Sequence, residues 1–85
     1  MGDVTWRDDV RDALRRLGGK ARLQAIYREV EKARRQAGRS IPRMLDAVVR
    51  RTLEDNSSDS NNYRGGPDLF EMVEGRGAGM WAVRV

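Results

Sequence analysis

The apolar residues of this 85-residue chain change period once, and that change narrows the folds open to it. Three successive runs repeat at the spacing of one helix face, and the last run, MWAVRV over 80–85, alternates as a strand does. In the first run Val10, Ala13, Leu14 and Leu17 share a face, with Trp6 one turn earlier to close one end of the core. Thr5 suits the N-cap, Asp8 and Asp9 suit the positive end of the helix dipole, and Gly18-Gly19 supplies the left-handed residue that stops a helix. These signals set a helix over 6–17, preceded by a frayed end at Met1–Val4. Lys20–Leu23 is short and extended, able to pair with a later hairpin. Leu23, Ile26, Tyr27, Val30, Ala33 and Ala37 then give a helix over 23–37, closed by Gly38. Its outer residues, Arg28, Glu29, Glu31, Lys32, Arg34, Arg35 and Gln36, read as a solvated charged face.

The third run, Ile41–Asp55, has two distinct sides. Leu45, Val48, Val49, Thr52 and Leu53 share one; Arg43, Ala47 and Arg50 share the other, with Asp46 beside them and Glu54 at the far end. Pro42 suits the first turn of a helix and biases Ile41 towards an extended backbone, so the helix is expected to begin there. Asn56–Pro67 is almost without apolar residues and reads as a long polar loop, of the kind that is functional or disordered. Leu69–Glu74 has strand character with Phe70 and Met72 inward, and Gly75–Gly79 is a basic glycine turn. In the last strand Trp81, Val83 and Val85 share a side. Two strands about such a turn form a β-hairpin. The fold class is therefore α+β: three helices followed by a C-terminal hairpin, the winged-helix variant of the helix-turn-helix, in which the third helix enters the major groove and the hairpin is the wing.

Composition sets further bounds. Residues 1–85 make one domain with a small core. There is no cysteine and no histidine, which removes thiolate chemistry, the commonest general base and the commonest zinc ligand, so neither metal nor cofactor is expected. No apolar run approaches a membrane span, and the N-terminus has no signal-peptide core, so a soluble intracellular protein is expected. The net charge of +4 is unevenly placed: residues 20–51 carry ten Lys or Arg against three acids, and residues 52–75 carry six acids and one Arg. Fifteen of the seventeen basic residues are Arg, which favours bidentate contacts to phosphate or guanine. A basic block of this kind points to a polyanion partner, nucleic acid by default, and a third helix that enters the major groove makes that partner double-stranded DNA.

On the third helix Arg43 and Arg50 can bridge guanine O6 and N7, and Asp46 can accept from a cytosine amino group or form an i,i+4 ion pair with Arg50. Ala47 is small, lets a groove approach closely, and offers a methyl to a thymine or a methylated base. Lys20, Arg22, Arg51, Arg64 and Arg76 are placed for phosphates, which position a protein without reading sequence.

Thr5-Trp6, Val10, Ala13-Leu14, Leu17-Gly18-Gly19, Ile26-Tyr27, Val49-Arg50, Leu53-Glu54, Ser58, Asp59-Ser60, Tyr63, Asp68-Leu69-Phe70 and Gly79-x-Trp81-Ala82-x-Arg84 resemble the winged-helix modules attached to bacterial restriction endonucleases. The resemblance covers nearly the whole chain. It implies a monomeric DNA-reading module of the bacterial cytoplasm, excised from a larger nuclease that it joins in cis. Some such modules read N6-methyladenine, for which an exposed aromatic surface and an acceptor are needed. Tyr63 with Asn61 or Asn62 are the candidates here, and Trp81 is the next aromatic in line unless it belongs to the core. The chain itself is not expected to be an enzyme. An HNH site needs histidine, and Pro67-Asp68 is followed by no Glu-x-Lys or Asp-x-Lys. The alternative function is a winged helix that docks proteins or regulates transcription without methyl preference.

Overall fold

The computed structural model describes residues 5–75 and 79–84. The expectations for Met1–Val4, for Arg76 and the turn tip at 76–78, and for Val85 lie outside the described residues. The chain forms α1 (Trp6–Arg16), β1 (Lys20–Arg22), α2 (Leu23–Gln36), α3 (Leu45–Asp55), β2 (Phe70–Val73) and β3 (Met80–Val83). The three strands make one antiparallel sheet in the order β1-β3-β2. The fold is thus α+β, with three helices and a three-stranded sheet. No helix among the described residues is long and apolar enough to cross a membrane.

Local signals set the ends of α1. The Asp8 N–H donates to Thr5 Oγ1 at 3.2 Å, as an N-cap should. At the other end Gly18 and Gly19 both take positive φ, +95° and +94°, and the Gly19 N–H donates back to the Leu14 carbonyl at 2.8 Å. The chain then runs straight into β1, where Ala21 faces Trp81 of β3. The short extended segment does pair with the hairpin, over three residues.

The core gathers the apolar faces of all the elements. Val10, Ala13 and Leu14 of α1 meet Ile26, Tyr27 and Val30 of α2, Leu45, Val49 and Leu53 of α3, and Phe70 and Trp81 from the sheet. Leu45, Val49 and Leu53 are four apart, so a single buried edge fixes which side of α3 is left to solvent.

α3 begins at Leu45, three residues later than Pro42 suggests. Ile41 packs against the core, and the chain then turns: the Leu45 N–H donates to the Pro42 carbonyl at 3.2 Å, while Met44 stays non-helical at φ −99°, ψ 39°. Burial of Ile41 fixes where the chain arrives, and Pro42–Met44 are used to redirect it. Arg43 therefore lies in the turn before α3 and is not on the helix with Ala47 and Arg50.

Arg34 departs from the expected solvated face. Its side chain is only 7% exposed. Nη1 donates to Asp9 Oδ2 at 2.6 Å, Nε donates to the Ser40 carbonyl at 2.7 Å, and the guanidinium lies 3.9 Å from the centroid of Trp6. Asp9 also accepts from Arg39 Nη1 at 2.6 Å. Position 34 continues the phase of Tyr27 and Val30, so the helix carries it inward, and Asp9 supplies the counter-charge that burial requires.

The polar segment 56–67 is built, not loose. Ser57 and Ser60 are buried. The Asn56 carbonyl accepts from the Leu69 N–H at 2.8 Å, and Asp59 Oδ2 accepts from the Met72 N–H at 2.9 Å. Arg84 closes the arrangement from beyond β3: Nη2 reaches Asp59 at 3.1 Å, Nε reaches Asp68 at 2.9 Å, and Nε also donates to the Phe70 carbonyl at 3.0 Å.

Asp68 accepts in addition from the Ser58 hydroxyl at 2.6 Å and the Ser58 N–H at 2.9 Å. The Ser58 bonds first, and then Arg84, hold its carboxyl below the ordinary value. A lowered folded-state pKa stabilises above the unfolded value, about 3.9, and that stability is lost as pH falls through the folded value. Urea unfolding followed from pH 5 to pH 2 should show stability falling once the pH drops below about 3.9. Asp68→Asn should be less stable at neutral pH and show a shallower acid loss. Parallel curves for the two proteins would assign the acid sensitivity to other carboxylates.

Candidate nucleic-acid interface

With Leu45, Val49 and Leu53 buried, the opposite stripe of α3 is Ala47, Arg50, Arg51 and Glu54, at spacings of three, one and three. These residues line an open cleft of about 440 Å³, which the loop completes with Asn62 and Arg64. A second cleft, about 390 Å³, lies at the head of α3 and is lined by Arg43, Met44, Asp46, Ala47 and Arg50. A third, about 290 Å³, separates α3 from the hairpin; Arg50 and Glu54 face Leu23, Met72, Gly75, Gly79, Met80 and Trp81 across it. Arg50 lines all three clefts and so stands at the centre of the surface.

The charges on this surface divide into engaged and available. Arg51 and Arg64 share Asp55 Oδ2, at 3.7 Å and 3.5 Å. Both arginine side chains are more than two-thirds exposed or close to it, and pairs so exposed are worth little, so a phosphate can displace the carboxylate cheaply. Arg43 and Arg50 are exposed and make no ion pair among the described residues, so the Asp46–Arg50 pair is not formed there. Lys20 and Arg22 are exposed on β1 and do not line the α3 clefts; Arg22, opposite Met80, lies just before Leu23 of the hairpin cleft. Tyr27 is buried behind this stripe. Burial pushes its hydroxyl above the ordinary value, Arg50 pulls the other way, and Asp46 and Glu54 add to the effect of burial.

The residues considered for a modified base separate in space. Asn62 lines the α3 cleft with Ala47. Tyr63 is half-buried, and its hydroxyl donates to the Gly66 carbonyl within the loop. Asn61 is exposed in the same turn. Trp81 is only 5% exposed and belongs to the core, with an edge on the hairpin cleft. Sequence reasoning missed Met44, which is 63% exposed at the head of α3 beside Arg43. Its signal was an apolar residue one position out of phase with Leu45.

The residues that carried the family resemblance also find a use. Ser58, Asp59, Asp68 and Arg84 are the bonded set that ties the loop to the sheet. Comparison with known protein families, with curated proteins and with solved structures found no match.

Proposed function

We propose that this chain is a double-stranded DNA-binding module of winged-helix type, with α3 in the major groove, the β2–β3 hairpin as wing, and a nuclease domain joined in cis. The observation that carries the reading is Arg50: exposed, unpaired among the described residues, and central to three contiguous clefts between α3, its preceding turn and the hairpin. The element order supports it, as does the cleft across which the hairpin faces Arg50 and Glu54 of α3. Arg50 and Arg43 are the residues to read bases. Arg51, Arg64, Lys20, Arg22 and Arg76 serve phosphates. Ala47 leaves room for a base edge against the helix backbone. Reading of N6-methyladenine is the narrower form, supported by the resemblance and by the Ala47 methyl in the same cleft. Tyr63 and Trp81 would then act from beside the site.

The test is selection from random duplexes, with and without N6-methyladenine. Arg50→Ala should cost about 1–3 kcal/mol on the selected duplex and less on unrelated ones, and Arg43→Ala should act in the same direction. Arg64→Ala and Arg76→Ala should weaken all duplexes alike. A methyl buried in the cleft is worth about 0.8 kcal/mol, so a severalfold preference is expected between fully methylated and unmethylated forms of one duplex. Equal dissociation constants would remove the methyl reading and leave DNA binding intact. One observation favours a second reading, a protein-docking surface. Asp46, Glu54 and Asp55 alternate with the arginines, and Met44 is bare at the head of the helix. Such a surface fits an amphipathic partner, and it would show no affinity for duplexes.

A further inference from the structure

The α3 cleft contains a side-chain amide held in one sense, and on the DNA-binding reading above this has a consequence for which bases it accepts. Asn62 Nδ2 donates to Glu54 Oε1 at 3.1 Å. A carboxylate only accepts, so the hydrogen bond dictates which end of the amide faces Glu54 and turns Oδ1, with the second N–H of Nδ2 beside it, to a ligand. The backbone around Asn62 is pinned as well. Its N–H donates to the hydroxyl of buried Ser60 at 3.0 Å, and the Ser60 N–H donates to the Ser57 carbonyl at 3.1 Å. Two residues on, the Arg64 N–H donates to the Asp55 carbonyl at 3.3 Å, which fastens the turn to the C-terminal end of α3. A polar group fixed by a second layer of bonds reads its ligand at little entropic cost.

We propose that Asn62 is a specificity-determining residue with Glu54 as its positioning residue, and that together they turn the Oδ1 acceptor to the base edge over Ala47. In the major groove only adenine and cytosine carry an amino donor, whereas guanine and thymine present acceptors there. The site therefore selects an amino-bearing base at the position Asn62 meets. It discriminates against guanine and thymine, which would leave two acceptors facing each other.

The experiment begins with the base profile of the wild-type chain, and then replaces the amino-bearing base at each selected position by an analogue lacking the amino group. At one position the analogue should weaken wild-type binding roughly tenfold, the range of one well-formed hydrogen bond with its partner left unpaired. In Asn62→Ala the same analogue should cost almost nothing, with preferences elsewhere kept. Glu54→Gln is the sharper variant. A glutamine amide can donate to Asn62 Oδ1 and turn Nδ2 outward, so guanine or thymine should become tolerated at that position alone. A merely structural role for Glu54 would lower affinity for every duplex, or lower the melting temperature, without moving a single position of the profile. Wild-type binding indifferent to amino removal at every position, or an unchanged profile in Glu54→Gln, overturns the proposal while leaving DNA binding in place. No duplex affinity at about 50 mM salt overturns both together.

Discussion

Arg34→Ala should lower the unfolding free energy by about 3–5 kcal/mol, the cost of stranding a buried charge. Arg34 and Asp9 are 7% and 10% exposed at their side chains, so neither recovers water when its partner is removed. The arginine also covers Trp6 and bonds the Ser40 carbonyl, and both contacts go with it. For a domain of this size a loss of that order moves the melting temperature by roughly 20 °C. Trp6 makes the change visible by fluorescence during urea unfolding. Arg34→Lys keeps the charge but neither the planar fork nor the stacking, and should recover only part of the loss. Asp9→Ala should match Arg34→Ala or exceed it, since Asp9 holds Arg39 as well. The double variant should lose less than the two single losses together. A loss under about 1 kcal/mol for Arg34→Ala would mean that desolvation cancels the bridge.

That bridge matters beyond stability, because it joins α1 to the segment that launches α3. Arg34, Arg39 and Ser40 are all tied to Asp9 or to each other, and Arg43 follows within a few residues. Loosening it should blur the position of Arg43 before it disturbs Arg50, which rides on the helix through Val49 and Leu53.

The parts of the fold that were legible are those governed by local rules. Thr5, Gly18-Gly19 and the alternation of Met80–Val83 act within a few residues, and their elements appeared where expected. Arg34 carries the charge of a surface residue but the helical phase of Tyr27 and Val30, which are buried. The counter-ion that makes burial tolerable lies 25 positions away, where no local pattern reaches. Pro42 is a valid helix-start signal on its own, but the pull of Ile41 into the core is a tertiary effect that overrides it. The bonds that order the loop leave no mark in the sequence, because polar networks have no period. Ser58, Asp59, Asp68 and Arg84 find each other across the hairpin, not along the chain. Within the site the α3 stripe followed from helical spacing. Selection of Asn62 rather than Tyr63 for the cleft depended on how the loop folds back on Asp55.

The affinity for duplex DNA should fall steeply with salt. If Lys20, Arg22, Arg51, Arg64 and Arg76 each meet one phosphate, the log–log slope is about −4.5, a loss of roughly 500-fold between 50 and 200 mM salt. The basic block of residues 20–51 overstates the charge that DNA can meet, because Arg34 and Arg39 are spent on Asp9 and Arg35 bonds Glu31. Each alanine variant among the five should make the slope shallower by about 0.9. Arg51 and Arg64 must first leave Asp55, so Asp55→Asn should raise affinity modestly without changing the slope much. Arg34 is unsuitable as a charge-removal control, since its loss should also destabilise the domain. Arg28 is exposed on α2 and lines none of the three α3 clefts, so Arg28→Ala should leave the slope as it is. The measurement is a fluorescence-anisotropy titration of one duplex at four salt concentrations for each variant. A slope near zero, or one that Arg28→Ala changes as much as Arg64→Ala, would move the reading to the amphipathic protein partner that the acids of α3 and Met44 would suit.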